Sequence, residues 1–279
     1  MAVRPAGGLE GTAALVSGGG TGIGFACAAA LVADGAAVTV CGRTEDTLRD
    51  AVARLEKEAG CGGSASYVVA DVTDEASVQA AVEQAAQARS RLDTVVANAG
   101  GGGMLGPVHT QDLAEFTRVL HLNVLGTMLL AKHGLPHLVR SGGSLVAISS
   151  LAGHVTHRWF GAYPVAKAGV EELVRNAADE YGPAGVRVNA VRPGFTATEL
   201  MEVVPRDSPI FQSYLDNTPL PGVGEPADVG ALVRFLAGAD ARWITGQVID
   251  VDGGHHLRRG PDYSLFAGIS ADDPSFGLA

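Results

Sequence analysis

Tyr163 and Lys167 stand four positions apart in a segment of helical pattern, so both side chains leave one face of the predicted helix. A phenol and an ammonium held together form an acid–base unit. The phenol gives or takes a proton beside a reacting atom, and the cation favours its ionised form. Pro164 restricts where that helix begins, because proline is tolerated in the first turn and not deeper. Tyr163 then sits at the helix N-terminus, where the dipole also favours a phenolate. A free tyrosine titrates near 10, and work near neutrality needs a drop of about 2–3 pH units, or about 3–4 kcal/mol. The expectation is a Tyr163 hydroxyl held below its ordinary range. A Tyr-x-x-x-Lys spacing also arises by chance as core plus surface charge. Here it has company: Ser150 lies 13 positions earlier, just after the apolar run 145–149, and Ser149 is the competing hydroxyl. A parallel sheet opens its ligand crevice at the carboxyl end of such a run.

A second constellation is the turn Ser17-Gly18-Gly19-Gly20-Thr21-Gly22-Ile23-Gly24. It fits G-x-x-x-G-x-G, with Gly18, Gly22 and Gly24 as the fixed glycines. Small residues let the backbone approach a pyrophosphate, and the helix that follows points its N–H groups at the anion. A strand before the turn and an Ala-rich helix after it make this a dinucleotide site. Gly20, Thr21 and Ile23 complete its contact set. The next strand ends Val40-Cys41-Gly42-Arg43, without the acidic residue that would hold a ribose 2′-hydroxyl. Gly42 removes a carboxylate that would repel a 2′-phosphate, and Arg43, beside Thr44, offers a planar cation to bind one. The reading is NADP(H) preferred over NAD(H), against the plainer view of Arg43 as a solvated loop charge.

The elements that must position these groups are legible. Short β-branched runs at 13–16, 37–41, 67–69, 94–97, 144–148, 186–191 and 247–251 alternate with helical segments at 23–33, 44–59, 112–133, 162–181 and 226–237, and a further helix capped by Thr73. That alternation predicts an α/β fold, a Rossmann-type doubly wound parallel sheet of about seven strands with helices on both faces. Residues 1–10 read as a tail, 11–257 as one domain, 198–224 as a substrate flap, and 258–279 as an extension suited to packing on a neighbour.

Thirty acidic side chains against twenty basic ones give a formal charge of −10, which repels a phosphate backbone and argues against nucleic acid as a partner. No apolar stretch approaches the length of a membrane span, and residues 1–10 do not form a signal peptide. Three cysteines, Cys27, Cys41 and Cys61, point to a reducing cytoplasmic setting and to buried apolar roles.

In their order along the chain these motifs resemble the single-domain branch of the short-chain dehydrogenase/reductase family, over roughly residues 11–254. The turn 17–24 is similar to the family's T-G-x-x-x-G-I-G, with Ser17 for Thr. Asp71-Val72 matches its adenine-contacting pair, and Asn98-Ala99-Gly100 matches the end of N-N-A-G, whose Asn usually braces the sheet. Arg192-Pro193-Gly194, with Phe195 and Thr198, matches the stretch that contacts the nicotinamide carboxamide. Asn123, Ser150, Tyr163 and Lys167 fill the positions of its catalytic tetrad. The resemblance implies hydride transfer between a nicotinamide cofactor and a carbonyl or alcohol: Tyr163 as acid, Ser150 polarising the carbonyl, Lys167 on the ribose, and Asn123 placing a water that links Lys167 to solvent. It also implies a homodimer or homotetramer formed through the helices at 112–133 and 162–181.

Met104, Leu105, Trp159, Phe160, Leu200, Met201 and Phe211 flank the implied site and suggest a small hydrophobic carbonyl or alcohol substrate: a 3-oxoacyl thioester, a steroid or another ketone. His154 and His157 read as partly exposed loop residues, against a role in touching substrate, and Arg158 as a solvated surface charge, against pairing with an anionic substrate group. His255-His256 has no cysteine or carboxylate partners at metal spacing, so no metal is assigned. Two other readings are a non-catalytic dinucleotide sensor and an epimerase or dehydratase. An intact acid set disfavours the first, and the short chain after Gly254 disfavours the second. An enoyl reductase would carry a wider Tyr–Lys spacing.

Overall fold

The computed structural model describes residues 8–260, 263 and 265–268. Seven strands form one parallel sheet: β1 (Ala13–Ser17), β2 (Ala37–Gly42), β3 (Ser64–Val69), β4 (Thr94–Ala97), β5 (Ser144–Ile148), β6 (Arg187–Pro193) and β7 (Val248–Val251). Their order is β3-β2-β1-β4-β5-β6-β7. An all-parallel sheet needs cover on both faces, and β1, β4 and β5 are buried along their whole length.

The helices are α1 (Gly22–Ala33), α2 (Glu45–Glu58), α3 (Glu75–Gln87), α4 (Leu113–Leu120), α5 (Gly126–Ser141), α6 (Ala162–Tyr181), α7 (Pro209–Asn217) and α8 (Pro226–Ala237). α1, α2 and α8 close one core, in which Leu31, Leu48, Leu55 and Val233 meet Val16, Val38 and Val146. α3, α5 and α6 close the other, in which Val78, Leu130, Leu138 and Val174 meet Leu15, Val95 and Leu145. The strand order reverses between β1 and β4, so the loops after these two strands diverge to opposite faces. The crevice at their carboxyl ends is the place where such sheets bind ligands.

Three local expectations change. Thr73 does not cap α3: Asp74 does, accepting from Ser77 N at 2.7 Å, while Thr73 donates its hydroxyl to Asp71 at 2.7 Å. A carboxylate one residue nearer the helix accepts the stronger bond. The single helix expected over 112–133 is α4 and α5 joined by a π-helical turn, His121–Leu125, and it runs on past Pro136 to Ser141. Leu135 and Leu138 are buried against the sheet, and such packing outweighs one lost helical bond. Cys27 and Cys41 are buried and their thiols pushed up to about 12, whereas Cys61 is exposed between Gly60 and Gly62. No described helix is long and apolar enough to cross a membrane.

Candidate active site

The loop after β1 is shaped by contacts that only glycine allows. Gly18 has φ +63°, and a Cβ there would lie 2.8 Å from Asn98 Nδ2. A Cβ on Gly24 would lie 2.1 Å from the Gly18 carbonyl oxygen. Asn98 donates to the carbonyls of Ser17 and Gly18 at 2.9 and 3.2 Å, and Ser17 Oγ accepts from the backbone N–H groups of Asn98 and Ala99 at 3.0 Å each. Asn98 therefore ties β4 to the glycine turn. α1 begins at Gly22 with no side-chain cap and no acidic residue in its first turn, which leaves its N–H groups for an anion. The turn thus fits a pyrophosphate.

A cleft over this turn is lined by Gly18, Gly20, Thr21, Gly42, Arg43, Thr44, Asp71, Val72, Ala99 and Gly100, all expected, and by Cys41, Thr47, Leu48, Ala70 and Leu122, which sequence reasoning missed. The missed five carry no motif; Cys41 lies on β2, Thr47 and Leu48 on α2, Ala70 just after β3 and Leu122 in the π turn, and only the fold brings them together. Gly22, Ile23 and Gly24 form the first turn of α1 at its edge. Hydrogen bonds from Thr73 hold the Asp71 carboxyl below its usual range, and the Arg43 charge adds to this. Thr198 overlies Gly22, its Cγ2 3.3 Å from where a Cβ would stand. Gly194 packs on Asp252 directly after Pro193 ends β6. The Phe195 ring lies elsewhere, 4.5 Å from that of Tyr214.

At the other end of the cleft, a Cβ on Gly100 would meet Asn123 Oδ1 at 2.5 Å and Lys167 Nζ at 3.2 Å, so Gly100 joins the dinucleotide cleft to the acid–base group. Lys167 is buried and donates to the Ile148 carbonyl at 2.9 Å; its Nζ lies 5.5 Å from the Tyr163 ring centre. Tyr163 is the second residue of α6 and Pro164 the third, so both lie in the first turn. Ser150 closes the group by hydrogen bonding to Tyr163. Burial raises the Tyr163 phenol, against the direction expected from the dipole and Lys167, and the bond from Ser150 only partly offsets it. The lysine lies over the ring, and its own charge is disfavoured by the same burial.

The structure also decides between the serines. Ser149 is buried and donates to Glu171 Oε1 at 2.8 Å. Arg192 holds Glu171 through two bonds of 2.9 and 2.8 Å, and Asp250 at 2.9 Å. This buried chain of charges, absent from any sequence expectation about Glu171, locks α6 to β6 and β7. Asn123 sits in the π turn, fully buried; its amide donates to the Gly101 and Val119 carbonyls, and its oxygen accepts from Gly101 N. Its side chain thereby pins the loop that carries Gly100.

Burial pulls the Lys167 ammonium down to about 8 from 10.5. The unfolded chain therefore holds the extra proton between those values, so the cost to folding is complete below pH 8 and fades as pH rises through that window. Lys167→Met is expected to raise unfolding free energy at pH 7 by up to about 3 kcal/mol, and by much less at pH 10. Urea denaturation at both pH values checks this; an equal gain at both would rule out a buried-charge origin.

Leu105, Trp159, Phe160, Phe195, Met201 and Phe211 gather with Val204, Ile210, Tyr214 and Tyr263 in one cluster beside Tyr163. Met104 is exposed instead, and the Leu200 side chain lies outside the described residues. His154 and Arg158 are exposed, as expected. His157 is not: it is buried against Phe160, and burial pushes it down to about 4. His256, expected to lack carboxylate partners, lies with Asp250 and Asp252, the possible ligand atoms all within 4.8 Å of one another. Asp252 is already engaged by the backbone N–H groups of Gly254 and His256, and Asp250 by Arg192.

A family model described as enoyl-(acyl carrier protein) reductase matches residues 18–256. Among curated proteins, the cis-4-hydroxycyclohexanecarboxylate dehydrogenase of Sinomonas cyclohexanicum is 38% identical over 243 residues, covering 87% of this chain and 95% of its own. Among solved structures, a short-chain type dehydrogenase/reductase from Mycobacterium ulcerans superposes with a TM-score of 0.93 at 43% identity, over 98% of this chain and 100% of that one. A 7α-hydroxysteroid dehydrogenase complexed with NADH and 7-oxo glycochenodeoxycholic acid superposes with a TM-score of 0.83 at 31% identity, over 88% and 95%.

Proposed function

The chain belongs to the short-chain dehydrogenase/reductase family, and from that premise we propose that it interconverts a small hydrophobic ketone and its alcohol, with NADP(H) preferred over NAD(H). The carrying observation is the Ser150–Tyr163–Lys167 group standing between a dinucleotide cleft and an aromatic wall. Relatives named as dehydrogenases of a hydroxycyclohexanecarboxylate and a hydroxysteroid support an alcohol–ketone reaction. The four-residue Tyr–Lys spacing favours it over the enoyl reduction in the family model's description.

A nicotinamide held in the cleft would supply the hydride. Tyr163 gives its proton to the substrate oxygen, and burial, which keeps that phenol protonated, suits the reductive direction. Ser150 donates a hydrogen bond to the same oxygen as charge develops there. Lys167, beside Gly100 at the cleft, would hold the nicotinamide ribose. Asn123 fixes the loop next to Lys167 and places the water that links it to solvent. Exposed Leu113, Leu125 and Val165 on the α4, α5 and α6 segment support association into a dimer or tetramer, and three free thiols support a cytoplasmic setting.

NADPH binding rests on Gly42 and Arg43 at the cleft. Arg43→Ala is expected to weaken NADPH about 10- to 100-fold, the worth of one or two charge-assisted bonds, and NADH hardly at all. Titration of reduced-ring fluorescence with both cofactors checks it; equal losses would reduce Arg43 to a general surface charge. Turnover itself is tested with a panel of ring ketones, 7-oxo steroids and 3-oxoacyl thioesters. Cofactor binding without reduction of any of them would favour the sensor reading.

A further inference from the structure

Tyr214 and Tyr263 are buried phenols outside the Ser150–Tyr163–Lys167 group, and their hydroxyls are hydrogen-bonded to each other at 2.7 Å. They arrive from separate parts of the chain. Tyr214 lies on α7, and Tyr263 lies in the extension after β7. That extension is docked by backbone contacts. His255 Nε2 pairs with the Arg259 carbonyl at 2.9 Å, and Arg258 donates to the Asp216 carbonyl at 2.5 Å. Gly260 runs so close to the loop before α6 that a Cβ would stand 2.2 Å from the Thr156 carbonyl oxygen.

The docking brings the phenol pair to within one intervening ring of Tyr163. Tyr263 stacks on Phe160 at 4.6 Å and 10°, and Phe160 lies 5.2 Å from the Tyr163 ring. A single ring thus bridges the pair and the proton donor, and the phenols sense each other's charge: Tyr263 raises Tyr163, and Tyr163 raises Tyr214. A hydroxyl has one donor and two acceptor sites. The bond between the two tyrosines uses one donor, whichever way it runs. One phenolic hydrogen is left over, and no other described side chain or carbonyl takes it. A buried donor of this kind calls for an acceptor.

We propose that the Tyr214–Tyr263 pair is the specificity-determining end of the substrate site, where it binds a second oxygen of a cyclic ketone or alcohol, remote from the reacting carbon. This rests on the carbonyl–alcohol reading above. The cyclic body follows from the walls. The rings beside the pair are packed on one another, Phe195 edge-on to Phe211 at 5.6 Å and Phe160 stacked by His157 and Tyr263, and against such a rigid apolar wall a compact ring loses few rotors, whereas an extended acyl chain loses several.

The test compares cyclohexanone with cyclohexane-1,4-dione as substrates of the full-length protein at saturating reduced cofactor. The wild type is expected to favour the dione in kcat/KM. The double variant Tyr214→Phe/Tyr263→Phe keeps the rings and removes both hydroxyls. It is expected to lose about 10-fold in kcat/KM on the dione, the worth of one buried hydrogen bond, chiefly through KM, and under about twofold on cyclohexanone. Equal losses on both substrates, or none on either, would overturn the proposal and leave the pair a packing feature. If the double variant does not fold, the single variants carry the comparison, and at least one must show the selective loss. A wild type that reduces a 3-oxoacyl thioester but neither ring ketone would refute the ring-binding proposal and leave the carbonyl–alcohol reading standing. Unchanged turnover in Tyr163→Phe would remove that reading itself.

Discussion

Tyr163→Phe is expected to lower kcat by about 10²- to 10⁴-fold, the usual contribution of a positioned general acid, with NADPH affinity within about twofold of wild type. In the proposed reaction the phenol is the proton donor; it lies beside Ser150 and is not among the residues that line the dinucleotide cleft. Removing its oxygen deletes the acid and leaves the glycine turn, Arg43 and Lys167 in place. Phenylalanine keeps the ring against Phe160, so the fold is not disturbed. Single-turnover reduction and fluorescence titration separate the two effects. A variant with near-wild-type rate would show that another group protonates the product. Loss of cofactor affinity in step with rate would show that Tyr163 mainly holds the cofactor.

Arg192→Leu is expected to cost about 3 kcal/mol of stability, the lower end for removing one partner of a buried ion pair, because Arg175 at 3.7 Å and the Ser149 hydroxyl still compensate part of the Glu171 charge. Glu171 is only 4% exposed, and Arg192 supplies both of its guanidinium bonds. Replacing both by apolar residues, Glu171→Leu/Arg192→Leu, is expected to recover most of that loss, since a buried pair and its hydrophobic replacement are often of similar stability. Urea denaturation of the two single variants and the double closes the cycle. A double variant as unstable as the sum of the singles would mean that the pair's loss is a matter of shape, not of stranded charge. The same network holds Ser149 beside Ser150, so variants that still fold are expected to show reduced kcat as well.

Much of the site was legible because it is local. Tyr163 and Lys167 are one helical turn apart, and i, i+4 spacing alone puts them on one face. The glycines at 18, 22 and 24 are required by a tight strand-to-helix turn, and their close contacts with Asn98 and with each other bear this out. The helix bounds at 162–181 and 226–237 were read from the helical pattern between strands and match α6 and α8. Local reading failed where a distant charge or ring decides the outcome. Nothing near Ser149 announces Glu171, 22 residues on. His157 looks like a loop histidine until α7 and the extension bury it. The lowered phenol expected for Tyr163 rested on the helix dipole, on Lys167 and on a positive nicotinamide ring, whereas burial by the completed fold acts in the opposite direction.

The sequence by itself determined the parallel sheet, the glycine turn and the placement of Tyr163 and Lys167 on one helix face, because each depends on periodicity or on spacing within one element, and the order of its motifs along the chain pointed to the family. Only the tertiary structure decided which serine faces Tyr163, in which direction the buried phenol and ammonium titrate, and which residues wall the substrate side. Those outcomes depend on desolvation and on hydrogen bonds between residues tens to hundreds of positions apart, such as Ser17 with Asn98 and Tyr214 with Tyr263. A chain's local pattern does not encode the dielectric around a side chain; that is set by what the completed fold packs against it.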